Sequence, residues 1–375
     1  MTAIEKLEAK LNHIYESCGY KRFQMSRFEP YDLYVQNRDF LQSEKIITFT
    51  DAGGRLMALR PDVTLSVIKN SDACGERVYY NEAVYRAKGD SYREIRQSGV
   101  ECIGRLDALC MAEMAAMAAQ SLHAVSPNAM LSLSDVSFVN ELLNQMQPRP
   151  AVRAGLLNCI ASKNVAGILH YADQGEITQG NAKTLQKLLE ICQPLREGVR
   201  TAAQLAPNKT ALSVLVGLSQ LADLLEQFGA LDGVFLDFSL VNSMDYYNGL
   251  IFQGFVSGIP FSVLSGGCYS LLAQKMGKAA GAIGFAVYLD RLEAYLPVEQ
   301  RPDADLLLTY KQDDDLCKLA GVLAKLRKAG IRIRCMREDE RKEQREAPDC
   351  SRTLSFAALG EAEIAALCKE ANAHG

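Results

Sequence analysis

The stretch VYRAKGDSYREIRQSGVECIG, residues 84–104, decides the fold. It reads as two strands, with polar and apolar residues alternating, joined by a short basic loop that contains glycine. Side chains alternate with period two on a strand, so Gln97, Gly99 and Glu101 point to one face. A glycine between two hydrogen-bonding side chains leaves room above the sheet for a ligand. The plainer reading is an exposed polar face, which is the better account of any one strand alone. The basic loop fits a phosphate cradle or a hairpin with snorkelling arginines equally well.

Outward from this hairpin, the first 145 residues alternate strands and helices. KRFQMSRFE (21–29) reads as a strand. IITFTDAGGRLMALRP (46–61) reads as a hairpin turning at Asp51-Ala52-Gly53-Gly54. A helix over Ala108–Ala124 carries Met and Ala at core-packing spacing, and MQPRPA (146–151) is a breaker-rich joint. Residues 151–228 read as helical throughout. Strands return with GVFLDFSLV and GLIFQGFVSG, followed by PFSVLSGGCYSLL as strand, glycine turn and helix start. Past a second joint, 296–305, a strand, a helix at Leu316–Lys328 and two more strands suggest a small β-α-β unit with a final helix. The charge-dense segment 338–349 reads as a solvated loop. The expected architecture is α+β. A core of residues 1–295 has an antiparallel sheet flanked by helices and a helical insertion at about 151–228, and a small α/β domain spans 303–375.

The composition excludes several classes. With 375 residues, the chain exceeds one ordinary hydrophobic core, and a net charge of −4 gives no global pull towards nucleic acid or an anionic membrane. No apolar run approaches the ~20 residues that span a bilayer, and the N-terminal amphipathic helix has no signal-peptide core. The eleven cysteines form no CxxC pair, which suits a reducing cytoplasm. His13, His123, His170 and His374 lack metal-ligand spacing, so neither a metal nor another cofactor is expected.

Three further clusters carry chemistry. LRPDVT (59–64) presents Asp62 and Thr64 at a strand-to-helix entry, where helix capping alone would explain the aspartate. VNSMDYYNGLIF (241–252) sets Tyr246 beside Tyr247 among turn formers, where a hairpin tip gains little from two phenols. LSGGCYSLL (264–272) and IGFAVYLDRL (283–292) add a double glycine, Tyr269 and Arg291, whose burial requires an anionic partner.

In order and spacing, these clusters resemble the catalytic core of class II histidyl-tRNA synthetases over about residues 1–295. By that resemblance Asp62 and Thr64 take the contacts to the α-amino group of histidine. Gln97 and Glu101 face its carboxylate side and imidazole, Tyr247 faces the imidazole, and Tyr246 and Tyr269 complete the histidine-binding set. The chemistry is coherent, because a carboxylate and a phenol can bind both nitrogens of an imidazole. Arg86 and Arg291 match arginines that would contact nucleotide phosphate.

The departures from that family are equally informative. Asn242 stands where the resemblance places a catalytic arginine, and a neutral amide supplies neither its charge nor its bidentate fork. Losing one preorganised transition-state donor costs roughly 10²–10³ in rate. Cys268 and Ser270 replace two charged residues, Ser26 replaces a proline, and Ala87 and Lys88 follow Arg86 where an acid is expected. Residues 303–375 hold 13 Lys or Arg against 14 Asp or Glu, a poor balance for tRNA phosphates.

A histidine pocket without its chemistry resembles the regulatory branch of this family, which serves ATP phosphoribosyltransferase at the first step of histidine biosynthesis. That resemblance implies no catalytic residue and no aminoacylation. It implies a homodimer assembled with a short-form catalytic subunit into a hetero-oligomer, free histidine as feedback ligand, and tRNA as no partner. The competing readings are an active histidyl-tRNA synthetase and a histidine- or tRNA-sensing binding module. Asn242 and the non-basic C-terminal unit count against the first, and the charge balance against the second.

Overall fold

The computed structural model describes residues 2–38, 41, 46–71, 75–88, 91–241, 247–278, 281–296, 302–343 and 349–373. Two compact units divide the chain, Met1–Pro297 and Val298–Gly375. In the first, the strands are β1 (Lys21–Arg22), β2 (Phe28–Pro30), β3 (Thr48–Thr50), β4 (Leu56–Leu59), β5 (Glu76–Lys88) and β6 (Ser91–Gly104). They continue as β7 (Met130–Asp135), β8 (Cys192–Pro194), β9 (Val234–Asp237), β10 (Leu250–Phe255), β11 (Leu264–Cys268) and β12 (Gly281–Tyr288). Nine of them form one sheet in the order β1-β5-β6-β12-β11-β10-β7-β9-β8, and β2-β4-β3 form a small second sheet. The large sheet is antiparallel except at the β1–β5 and β7–β9 pairs.

Alternation along the strands sorts residues to the two faces of this sheet. Tyr79, Val100, Cys102, Phe285 and Val287 enter the larger core, into which the Ala3–Ser17 helix lays Ile4, Leu7, Leu11 and Tyr15. The Ala108–Val125 helix packs there too, burying Met114, Met117 and a run of alanines, so its apolar length belongs to a protein core. Val78, Tyr80, Ile103 and Ile251 point the other way, into a second core roofed by Leu65, Val67 and Ile68 of the Thr64–Asn70 helix. One end of that second face is apolar and the other, towards Gln97 and Glu101, is polar.

The hairpins at 46–61 and 84–104 form as read from the sequence, in the first case with Gly54 N–H donating to Asp51 O at 3.0 Å across the turn. Several expectations are corrected. KRFQMSRFE is two short strands in different sheets, since β1 pairs with β5 while β2 pairs with β4. The block 151–228 is not wholly helical. Between its helices, β8 joins the sheet beside β9 at the edge of the order, where Pro194 can sit without interrupting a ladder. The double glycine is no turn; Gly266 and Gly267 lie within β11. Of the charge-dense segment, Glu338–Glu343 is a helix, with Glu338, Asp339 and Glu340 in a first turn whose dipole favours acids; residues 344–348 lie outside the described residues. The sequence reading also left β7 and the Val136–Met146 helix unassigned.

The second unit contains β13 (Ala304–Tyr310), β14 (Ile333–Arg337) and β15 (Cys350–Ser355), parallel in the order β14-β13-β15. Its helices, Leu316–Lys328 and Glu361–Ala373, close a core of Leu306, Leu326, Ile364 and Leu367.

Candidate functional site

The polar end of the second face is built by strand register. Glu101 pairs with Gly284 of β12, Gly99 with Ala286, and Gln97 with Tyr288. One strand further on, Gly267 pairs with Gly284 and Ser265 with Ala286. Small residues therefore lie beside Glu101, and the carboxylate folds down over them. A Cβ at Gly284 would stand 1.8 Å from Glu101 Oε2, and one at Gly267 2.9 Å from the Tyr247 ring. The glycines of this corner hold space for side chains of the protein itself.

Gly99 is the instructive case. The space above it is not open to a ligand, because a Cβ there would meet Tyr80 Cζ and Oη at 2.3 Å. Tyr80 fills the gap and donates its hydroxyl to Glu101 Oε1 at 3.4 Å. Thr64 Oγ1 donates to the same oxygen at 2.8 Å, and Tyr269 Oη donates to Oε2 at 2.5 Å. Three hydroxyls thus converge on one carboxyl that is 2% exposed.

Burial dominates the electrostatics. Desolvation pushes the Glu101 carboxyl up to about 8, offset in part by the Tyr269 and Thr64 hydroxyls, while the charge of Asp62 adds to the rise. Burial also raises the Asp62 carboxyl, although Leu65 N–H donates to its Oδ1 at 3.0 Å. Asp62 therefore caps the Thr64–Asn70 helix and also lines the cavity. The Tyr247 and Tyr80 phenols are held well above their ordinary range by burial and nearby acids.

Asp62, Thr64, Arg86, Gln97, Glu101, Tyr247 and Tyr269 all line one polar cavity of about 40 Å³. Arg86 is aimed by its Nε, which donates to Pro61 O at 3.1 Å. Arg291 is not among the lining residues. Its guanidinium lies 4.1 Å from the centroid of Tyr288, a wall residue, and bonds the Ser262 carbonyl, while its charge is also felt by the neighbouring Asp290 carboxyl. Tyr246 and Asn242 lie outside the described residues. The sequence reading missed Tyr80, Ser265, Gly284 and Tyr288. The signal was available for the last two, since IGFAVY alternates in step with QSGVE on the neighbouring strand. Among the described residues no group of three or more His, Cys, Asp or Glu side chains is arranged to hold a metal ion.

The sequence and the fold both have counterparts among known proteins. The sequence profile described as histidyl-tRNA synthetase matches residues 1–292. The chain belongs to the histidyl-tRNA synthetase family. A curated relative, the ATP phosphoribosyltransferase regulatory subunit of Bacillus mycoides (strain KBAB4), is 27% identical over 325 residues, covering 83% of this chain and 77% of the relative. In fold, the chain resembles an ATP phosphoribosyltransferase regulatory subunit/histidyl-tRNA synthetase from Bacillus halodurans, with a TM-score of 0.82 at 21% identity over 94% of this chain and 93% of that one. It also resembles a chain of the ATP phosphoribosyl transferase (HisG:HisZ) complex from Thermotoga maritima, with a TM-score of 0.60 at 20% identity, covering 76% of this chain and 96% of that chain. The fold is that of class II histidyl-tRNA synthetases, an α+β core on a largely antiparallel sheet.

Proposed function

We propose that this member of the histidyl-tRNA synthetase family is a non-catalytic regulatory subunit of ATP phosphoribosyltransferase that binds free histidine in the Glu101 cavity. In this reading it works in the cytoplasm as a homodimer, in a hetero-oligomer with a short-form catalytic subunit, and carries histidine feedback to the first step of histidine biosynthesis. The observation that carries the ligand is the Glu101 carboxyl, fixed by three hydroxyl donors at the floor of a polar cavity. An imidazolium N–H adds the positive charge that three neutral hydroxyl donors do not give this carboxylate, and Tyr247 stands on the same wall. The relatives named as regulatory subunits support the assignment of the partner. Feedback then requires histidine affinity to differ between assembly states, typically by about 1–3 kcal/mol.

The test mixes this chain with a short-form catalytic subunit and follows phosphoribosyl-ATP formation with and without histidine. Activity should need this chain and fall when histidine is added. A catalytic subunit equally active alone defeats the regulatory reading. A second reading, an active synthetase, draws on Arg86 at the cavity wall; charging of tRNA by the purified chain would establish it.

The raised Glu101 carboxyl also sets the pH profile of binding. Between about 6.5, the ordinary imidazole value, and the Glu101 value of about 8, free histidine and free protein together hold one proton on the pair. An imidazolium–carboxylate complex also holds one, so affinity should be highest and nearly flat across that window. Below it a proton must be released on binding and above it one must be taken up, so affinity should fall about tenfold per pH unit on each side. Isothermal titration across pH 5.5–9.5 checks this. An affinity that climbs to pH 8 and then holds would mean neutral imidazole against an ionised carboxylate, and the shared proton would be wrong.

A further inference from the structure

Behind the strand that carries Glu101, on the opposite face, two thiols lie side by side. Cys102 Sγ of β6 and Cys110 Sγ, in the first turn of the Ala108–Val125 helix, are 3.4 Å apart, with both residues buried. The proposed histidine cavity uses neither. The helix start is fixed, because Asp107 accepts from Cys110 N–H at 2.9 Å, so the second sulfur is delivered to the strand by a built cap. Arg77 of β5, the register partner of Cys102, brings a positive charge to the pair, paired outwards with Glu113 at 2.9 Å. The two sulfurs are unequal. The Cys110 S–H bond and the Arg77 charge favour the thiolate at Cys102, while Cys110, next to that thiolate, keeps its proton.

We propose that Cys102 and Cys110 form a peroxide-oxidisable dithiol that closes to an intramolecular disulfide. The Cys102 thiolate attacks one peroxide oxygen, the O–O bond breaks, and hydroxide leaves to take up a proton, giving a sulfenic acid on Cys102. The Cys110 sulfur then displaces that hydroxyl as water, losing its own proton as the S–S bond forms. Two thiols and one hydrogen peroxide yield one disulfide and two waters; each sulfur is oxidised by one electron and each peroxide oxygen reduced by one. Closure to about 2.05 Å needs only a small approach of sulfurs already in contact. Burial selects the oxidant, since a molecule little larger than water reaches the pair more readily than a bulky disulfide such as oxidised glutathione. Once closed, the bond ties β6 covalently to the helix packed on its back.

The experiment treats the full reduced chain with stoichiometric hydrogen peroxide and maps cross-linked peptides by mass spectrometry. The expected product is a Cys102–Cys110 peptide, two fewer titratable thiols of the eleven per chain, and reversal by dithiothreitol. Amide exchange in 100–104 should slow several-fold in the oxidised form. Cys110→Ser should abolish the disulfide and leave a dimedone-reactive sulfenic acid at Cys102. The proposal is overturned if no Cys102–Cys110 peptide forms, or if Cys110→Ser loses the same number of thiols to peroxide as the wild type. It is equally overturned if oxidised glutathione forms the bond as fast as peroxide does. None of these readouts involves histidine or the catalytic subunit, so they stand or fall apart from the functional reading.

Discussion

If histidine binds as proposed and so raises the melting temperature of the wild type, Glu101→Gln is expected to abolish that rise and, in the free protein, to raise the melting temperature above pH 8. Both effects come from one buried group. The carboxyl is pushed up to about 8 in the folded chain against about 4.5 when unfolded. Between those values the native state holds a proton that the unfolded state has lost, so stability falls as pH rises through the window and the full penalty is present above 8. A glutamine keeps the shape, with its carbonyl oxygen accepting from Thr64 and its amide NH2 donating to the Tyr269 hydroxyl, but it never ionises, so the alkaline penalty vanishes. It also cannot form the ion pair with an imidazolium, which removes the ligand's main anchor. Thermal denaturation at pH 6 and pH 9, each with and without histidine, separates the two effects. A glutamine variant that still shifts with histidine puts the ligand elsewhere. Equal melting temperatures for variant and wild type at pH 9 would show that Glu101 is not buried as an ion.

Arg60→Ala should produce the largest loss of stability from a single change in the first unit, about 3–5 kcal/mol, the range for removing one partner of a buried ion pair. Arg60 is fully buried, and its two terminal nitrogens reach three acceptors on two separate segments. Nη1 donates to Ser26 O at 2.8 Å, and Nη2 to Glu82 Oε2 at 2.7 Å and to Ala83 O at 2.9 Å. Its backbone continues the link, accepting from Tyr85 N–H and donating to Arg27 O. The guanidinium therefore pins the small β2-β4-β3 sheet to β5, two residues before Asp62 enters the cavity. Deleting it leaves Glu82 without its cation and two carbonyls without donors. Arg60→Lys should recover only part of the loss, since one ammonium cannot reproduce the planar fork. Denaturant unfolding followed by tyrosine fluorescence, which reports chiefly on the first unit because every tyrosine but Tyr310 lies there, measures both; an alanine variant within about 1 kcal/mol of wild type would rule the pin out.

The features legible in the sequence are those that depend on local period. Alternation alone placed Gln97, Gly99 and Glu101 on one face, and the strand register keeps them there. The Leu316–Lys328 helix was readable because its apolar spacing and its Asp315 cap lie within one short segment. What escaped depends on neighbours distant in the chain. Gly266 and Gly267 look like a turn in isolation; they are strand residues paired with β10 and β12, and glycine is needed there because a Cβ at Gly266 would meet the Phe252 ring at 2.4 Å and one at Gly267 the Leu250 carbonyl at 2.6 Å. Tyr80 gave no hint that it would occupy the room above Gly99. Nothing local to LRPDVT says that the charge of Arg60 is buried. In the segment from Glu338, charge density suggests a loop, but the helix-forming residues themselves prevail.

The pairing of Glu101 with Gly284 has a consequence for how the chain is made. All the helices from Pro150 to Gln227 lie between these two partners in sequence. A nascent chain emerging from the ribosome completes the β5–β6 hairpin early and exposes its polar face, with no β12 to receive the carboxylate. The histidine pocket of the proposed function is thus among the last features to close, after the most non-local pairing in the sheet has been made. Ligand can assist only the final step of assembly, and a chain truncated before residue 281 would carry every residue of the proposed binding set but lack β12, the strand that joins β6 to β11.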